Sequence, residues 1–442
     1  MRLFCFKTIN SMKKYYFLSL TVFLLSTSPL FAQQRTLIHC GSLLDGVRND
    51  LQREITVIVE GTKITAIQKG YTKPAASDRL IDLKTKTVLP GLIDMHVHLE
   101  GETRRGGTLD RFTLNVPDVA FQSAKYAQTT LLAGFTTVRD LGGTGVNVAL
   151  RNAINRGLVD GPRIFTAGKT IATTGGHADP TNGYRKDLMG DPGPNEGVIN
   201  GPEEARKAVR QRYKDGSDLI KITATGGVLS NAKDGSGPQF TEEEVRAVVE
   251  AAKDYGFAVA AHAHGAEGMK RAIRAGVNTI EHGTMMDDEA IELFKKHGTY
   301  YVPTIIAGKV TSDSAKIFGY YTPFVTRKAL AIGPLIQGTF AKAYKAGVKI
   351  AFGTDAGVFV HGYNAKEFEY MVEAGMPPLE AIKSATIVNA ELLGMKTQIG
   401  SVETGKLADL IAVDENPLQN IKTLQTVRFV MKEGKVYKGG RD

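Results

Sequence analysis

Between Val88 and about Gly394 the chain alternates short apolar runs with amphipathic stretches. The runs are VLPGLIDMHVHL, TTVRDLGG, PRIFTAGKTI, LIKITATGG, AVAAHAHG, TIEHG, TYYVPTI and VKIAFGTDAG, each short enough for one buried strand. Between them lie segments such as PEEARKAVRQRYKDG, TEEEVRAVVEAAKDYG and EGMKRAIRAG, which carry helical spacing and end in Gly as helix C-caps do. Thr241 followed by Glu242, Glu243 and Glu244 predicts a capped helix start with acids at its positive end. Eight strand–helix alternations predict an α/β chain whose residues 90–395 form a (β/α)8 TIM barrel.

The two ends have a different texture. Residues 33–89 contain TLIHCGSLLDG, ITVIVEGTKITAIQKG and RLIDLKTKTVLP, which alternate apolar and polar positions as half-buried strands do. Residues 396–442 repeat that pattern in GKLADLIAVDENP and VRFVMKEGKVYKG. The expectation is one small β-sandwich domain assembled from both terminal segments. Residues 1–32 differ again: Met12-Lys13-Lys14 precedes the apolar stretch YYFLSLTVFLLSTSPLFA, and Ala32 precedes the polar Gln33-Gln34. This is the pattern of a secretory signal peptide, and it predicts export to a periplasmic or extracellular location, with membrane contact only during export.

Composition narrows the classes. With 442 residues, 42% of them hydrophobic, a disordered chain and a multi-span membrane protein are both excluded. Two cysteines, Cys5 and Cys40, supply neither a disulfide framework nor a cysteine zinc site. The formal charge is +9, but residues 1–32 hold Arg2, Lys7, Lys13 and Lys14 and no acid, so the remainder carries only +5. No basic run is interleaved with aromatics, so no nucleic-acid partner is expected. A small-molecule substrate is the expected partner, and a homo-oligomer is compatible with the sequence.

The chemistry gathers at predicted strand ends, where a barrel keeps its reactive groups. His96 and His98 are two apart on a strand, share a face, and can chelate one divalent cation. Asp94 shares that face and can orient a ligand imidazole through a hydrogen bond. Lys221 sits among apolar neighbours in LIKITATGG. It is either deprotonated, paired with an acid such as Asp218 or Asp140, or converted with CO2 to a carbamate able to bridge two metals; the surrounding histidines favour the carbamate. His262 and His264 share one face, and His262, nearer the strand body, is the better ligand. His264 is a substrate contact or a packed supporting group. His282 and Asp355 complete the set, and Asp355 can also accept a proton from the attacking water. His39 and His297 carry no assigned chemistry, and His361, six residues past Asp355, reaches at most the rim.

HVH, the strand-four lysine, VAAHAHG, IEHG and FGTDAG together resemble the amidohydrolase superfamily with a two-metal centre, and PGLIDMHVH is its most specific block. AHAHG followed by IEHG, with TTGGH after the third strand, is most similar to the Xaa-Pro dipeptidase (prolidase-like) branch. The resemblance implies two divalent ions, with zinc the expected metal. One would sit on His96, His98, carboxylated Lys221 and Asp355, the other on Lys221, His262 and His282, with a hydroxide bridging them. It implies that Asp355 serves as general base and then acid, and that His177 binds the substrate's terminal carboxylate. The expected function is hydrolysis of an amide bond, in a dipeptide or N-acyl amino acid. The alternatives are another reaction of the superfamily (a deaminase, a cyclic amidase or imidazolonepropionase-like enzyme, a lactonase or esterase) and a non-catalytic secreted binding protein. Gly265 stands where deaminases of the superfamily carry a Glu soon after the strand-five His, and Lys221 favours two metals.

Overall fold

The computed structural model describes residues 34–231 and 235–440, so the predicted export segment lies outside the described residues. The described chain opens with β1 (Arg35–Leu43), β2 (Gln52–Glu60), β3 (Lys63–Lys69) and β4 (Arg79–Pro90). The central strands are β5 (Leu92–Val97), β6 (Phe135–Asp140), β7 (Arg163–Thr166), the short pair β8 (Ala172–Thr173) and β9 (Val198–Ile199), β10 (Ile220–Thr223), β11 (Val259–Gly265), β12 (Thr279–Met285) and β13 (Tyr300–Val302). The chain closes with β14 (Leu410–Val413), β15 (Phe429–Lys432) and β16 (Lys435–Lys438).

The two ends meet, as their shared texture predicts. They do so in one seven-stranded mixed sheet, ordered β16-β15-β14-β4-β1-β2-β3, where two facing sheets were expected. The join is antiparallel, with Leu410 opposite Pro90 and Ala412 opposite Val88. The ladder between β1 and β4 shifts register between Cys40 and Ser42. Gly41 lies there with no room for a side chain, because a Cβ would fall 2.0 Å from the Lys84 carbonyl oxygen. Such a bulge bends a strand and increases its twist. Ile38, Cys40, Val57, Val88, Leu410 and Met431 form the apolar core of this sheet. Cys40 is a free thiol there, its pKa pushed up to about 12 by burial.

The central strands are parallel. β5-β6-β7 form one sheet and β10-β11-β12-β13 another. Ile171, just past β7, donates its N–H to the Lys221 carbonyl at 2.8 Å, which links the end of the first sheet to β10. The predicted eighth strand, VKIAFGTDAG, is an extended segment held only by isolated bridges, Tyr301 with Ile350 and Val97 with Ala356. Its backbone bonds nevertheless reach both neighbours: Ala351 N–H to Tyr301 O at 2.9 Å, and Asp355 N–H to His96 O at 2.7 Å. It departs from a regular strand at Thr354 and Asp355. There Thr354 N–H bonds the Asp94 carboxylate rather than a ladder partner, and Asp355 turns to φ +63°.

The helices carry the predicted caps. Thr241 and Glu244 form a reciprocal capping box at the start of helix Glu242–Asp254, and Gly216 and Gly276 end helices Pro202–Asp215 and Ala266–Ala275 in left-handed conformation. Their apolar faces, for example Val245, Val248 and Ala252, join the largest core cluster with strand residues such as Ile220, Ile222 and Ala261. No helix among the described residues is long and apolar enough to cross a membrane.

Candidate metal centre

His96 lies on β5 and His98 one residue past its end, and the two-residue period aims both imidazoles the same way. The Nε2 atom of each stands 3.4 Å from Asp355 Oδ1. His282, on β12, brings its ring centroid to 5.0 Å from that of His96. One donor atom each from His96, His282 and Asp355 fall within 4.8 Å of one another. His282 and Asp355 both occupy the left-handed region, with φ of +71° and +63°. Few non-glycine residues adopt such values, and they cluster at functional sites.

Neighbours fix the orientation of these rings. His96 Nδ1–H donates to Glu281 Oε2 at 2.9 Å and His98 Nδ1–H to the Gly142 carbonyl at 2.8 Å, which leaves both Nε2 lone pairs facing the site. His282 Nδ1 is 2.8 Å from Thr304 Oγ1, and Thr304 itself stands at φ +51°, a rare value for a β-branched residue. Burial lowers the pKa of His96 and His282 well below the ordinary histidine value and that of His98 to about 4, so all three rest as neutral imidazoles, the form that ligates metal. Asp94, expected to orient an imidazole, bonds no ring among the described residues and holds backbone and side-chain donors instead. It accepts from His96 N–H at 3.0 Å, Thr354 Oγ1 at 2.7 Å and Asn364 Nδ2 at 2.9 Å, tying the end of β5 to the segment that carries Asp355.

Lys221 is 4% exposed, and its amine makes no hydrogen bond or ion pair among the described residues. The two acids weighed as its ion-pair partners are engaged elsewhere, Asp218 with Arg151 at 2.6 Å, and Asp140 with Asn147 at 2.8 Å and the Leu99 N–H at 2.9 Å, and the carboxylates that act on it most through space are Glu281 and Asp355. Burial is the main force lowering its pKa, to about 8, so far more of the amine is uncharged near neutral pH than in an ordinary lysine. A buried amine beside neutral imidazoles and a carboxylate is a donor set that fits metal ions.

The remaining predicted residues form a second group against the first. His262 packs 4.6 Å from His282, and its Nε2 lies 3.1 Å from the Gly226 carbonyl. His177 stacks on His262 at 4.4 Å, with a buried Nδ1 that has no partner. His264 stacks on His282 at 5.0 Å and bonds Thr284 Oγ1 through Nδ1 at 2.9 Å. All of these line one cavity of about 1110 Å³. Ser230 and Asn231 after β10, and Tyr320 and Tyr321 from the SDSAKIFGYYTP stretch, contribute to its walls.

A model of the amidohydrolase family matches residues 87–438. The chain belongs to the amidohydrolase family. These enzymes are hydrolases acting on carbon–nitrogen bonds, and their fold is the TIM barrel. The chain is 34% identical over 431 residues to the ochratoxinase of Aspergillus niger, covering 91% of this chain and 87% of that one. It is similar to the crystal structure of a Xaa-Pro dipeptidase with methionine bound in the active site, with a TM-score of 0.90 and 55% identity over 92% of this chain and 100% of the other. A prolidase complexed with N-methylphosphonate-L-proline gives a TM-score of 0.84 at 33% identity, again over 92% and 100% of the two chains. Divalent metals are general in the superfamily, and the His96–His282–Asp355 group is the matching feature of this amidohydrolase.

Sequence reasoning missed the charged bracket beneath this site. Glu281 is fully buried and accepts from His96 Nδ1, from Thr279 Oγ1 and from Arg139 Nη2 at 2.8 Å, while Arg139 Nε donates to the Met95 carbonyl at 2.6 Å. The available signal was a Glu and an Arg in the middle of otherwise apolar strands, in TIEHG and TTVRD. Glu281→Ala is expected to destabilise the amidohydrolase by about 3–5 kcal/mol, because it strands the buried Arg139 guanidinium. A denaturant midpoint close to that of the unsubstituted protein would refute this.

Proposed function

We propose that the protein is an exported, metal-dependent hydrolase of amide bonds in dipeptides or N-acyl amino acids, working at the cage of His96, His98, Lys221, His262, His282 and Asp355. The observation that carries this reading is the convergence of His96, His98, His282 and Asp355, with unpaired Lys221 beside them, on the floor of one large cavity. Likeness to a Xaa-Pro dipeptidase along 92% of the chain supports the choice of dipeptides, and likeness to ochratoxinase supports amide hydrolysis more broadly. The bridging bonds through Ile171, Ala351 and Asp355 support a closed eight-stranded barrel. Residues 1–32, basic and then apolar, support export.

His96, His98 and Asp355 would hold one ion, and His262 and His282 a second, with His262 first releasing the Gly226 carbonyl. Lys221 would serve both. Its neutral amine adds CO2, with a new bond from Nζ to carbon and loss of one proton, and the resulting carbamate offers two oxygens. Divalent ions held there supply Lewis-acid activation of water and of the scissile carbonyl. Asp355 Oδ1 receives the proton of the attacking water and passes it to the leaving nitrogen. His177 and His264 face the same cavity and would contact substrate.

The test is a dipeptide library incubated with protein reconstituted in zinc or manganese and bicarbonate, with released amino acids read by mass spectrometry and metal counted per chain. Cleavage of amide bonds with two ions per chain is expected. Turnover of lactones or cyclic amides without any dipeptide cleavage would displace the reading.

A further inference from the structure

A dipeptide and an N-acyl amino acid differ in one group, the α-ammonium beside the carbon that bears the scissile carbonyl. A site that selects between them needs a carboxylate whose charge is not already spent. Four acidic side chains line the cavity besides Asp355, and three are engaged: Glu100 with the Thr144 and Asn147 N–H groups, both at 2.7 Å, Asp110 with Arg104 at 2.6 Å, and Asp179 with Thr181 Oγ1 at 2.6 Å. Glu102 differs. It lies four residues beyond His98 in the same loop, and its Oε1 accepts from the backbone N–H of His361 at 2.8 Å and from His361 Nδ1 at 3.0 Å. Its Oε2 accepts from no donor among the described residues, and the side chain keeps 19% of its surface accessible.

The carboxylate is held in place. His361 is 2% exposed and stacks on Tyr126 at 4.7 Å with the planes only 14° apart. Thr103 N–H donates to the Gly357 carbonyl at 2.6 Å and His98 N–H to the Ala356 carbonyl at 2.7 Å, so the loop after β5 is stitched to the loop after Asp355 on both sides of Glu102. Among the neighbouring cations, Arg104 is bound to Asp110, Arg111 sits over the Tyr184 ring at 4.3 Å, and Lys125 acts on Glu102 through space without a hydrogen bond to it among the described residues. His177 belongs to the other group of residues, stacked against His262.

We propose that Glu102 Oε2, positioned by His361, binds the α-ammonium of the substrate's N-terminal residue, so that the enzyme takes dipeptides with a free N-terminus and discriminates against N-acylated amino acids. This rests on the amide-hydrolase reading and narrows its substrate class. Partial burial opposes ionisation of Glu102, but the His361 donors outweigh it and hold the carboxyl below its usual range, so the group is anionic at neutral pH. An N-acylated substrate offers this carboxylate no counter-charge and displaces its water, which costs binding.

Two measurements on the metal-loaded full chain test this. The first compares kcat/KM for leucyl-proline and N-acetyl-leucyl-proline, read by released proline; a preference of about 100-fold for the free dipeptide is expected. Glu102→Gln should bring that ratio to about 3-fold or less, whatever factor both substrates lose in common, and Glu102→Asp should give an intermediate ratio. The second is calorimetry with L-leucine and N-acetyl-L-leucine, which needs neither turnover nor a variant; the free amino acid should bind about 30-fold more tightly. A ratio near one in the unsubstituted protein, or a ratio that Glu102→Gln leaves intact, overturns the assignment while amide hydrolysis stands. Calorimetric discrimination without cleavage of any peptide sustains the ammonium site and overturns the hydrolase reading instead.

Discussion

Asp355→Asn is expected to lower turnover by about 10³-fold or more while bound metal stays near the level of the unsubstituted protein. The substitution is nearly isosteric. Asn also tolerates the left-handed region, so the backbone at φ +63° and its N–H bond to the His96 carbonyl have no reason to change. Oδ1 would remain within 3.4 Å of His96 Nε2 and His98 Nε2, so the geometry that gathers the ligands survives. What disappears is the capacity to accept a proton. A general acid–base group contributes about 10²- to 10⁴-fold, and in the proposed mechanism one residue serves both directions of the transfer. Burial raises the Asp355 pKa above the usual carboxylate range, which suits a group that must take a proton and then release it. Released amino acid measured by mass spectrometry gives the rate, and elemental analysis gives the metal. Retention of more than a tenth of the turnover, at full metal content, would remove Asp355 from the proton path.

The gathering of the candidate residues was legible because strand periodicity and strand-end position are local properties. His96 and His98 announce a shared face by their spacing, and PGLIDMHVH, AHAHG, IEHG and FGTDAG each end an apolar run. Illegible features depend on distant partners or on single dihedral angles. Glu281 reaches back 185 residues to His96, and Arg139 meets Glu281 across 142. Nothing in TIEHG shows that His282 turns to φ +71°, so that it and Glu281 both serve the centre despite being adjacent on one strand. The same holds for Thr304, whose backbone at φ +51° presents its hydroxyl to His282. Asp94 illustrates a half-legible residue: its place near the site followed from spacing, but its partners on the Asp355 segment lie 260 and 270 residues away. The terminal strands show the same division, since alternation marks each strand but does not reveal that they share one sheet.

Lys221→Met should make the metal-free protein more stable and the enzyme nearly inactive. The amine is buried, burial is the main force lowering its pKa, and neither Asp218 nor Asp140 pairs with it. Holding an unpartnered polar head there costs free energy in the metal-free state. Methionine fills a similar volume with a flexible apolar chain, so the expected gain is about 1–3 kcal/mol, the cost of burying a polar group without a hydrogen-bond partner. The same change removes the oxygen donors that a carbamate on Lys221 would provide. Bound metal should fall below two ions per chain, and kcat/KM should fall by about 10³-fold or more. Thermal melts of the metal-free proteins, metal counts after reconstitution and dipeptide turnover measure the three consequences separately. A residue that serves only packing would lose stability on substitution, and one that serves only as a buried cation for Glu281 and Asp355 would do the same. Increased stability together with lost metal and lost activity is the outcome that marks a group retained for chemistry at the expense of the fold. If Lys221→Met melts lower than the unsubstituted protein and still binds two ions, the lysine is structural.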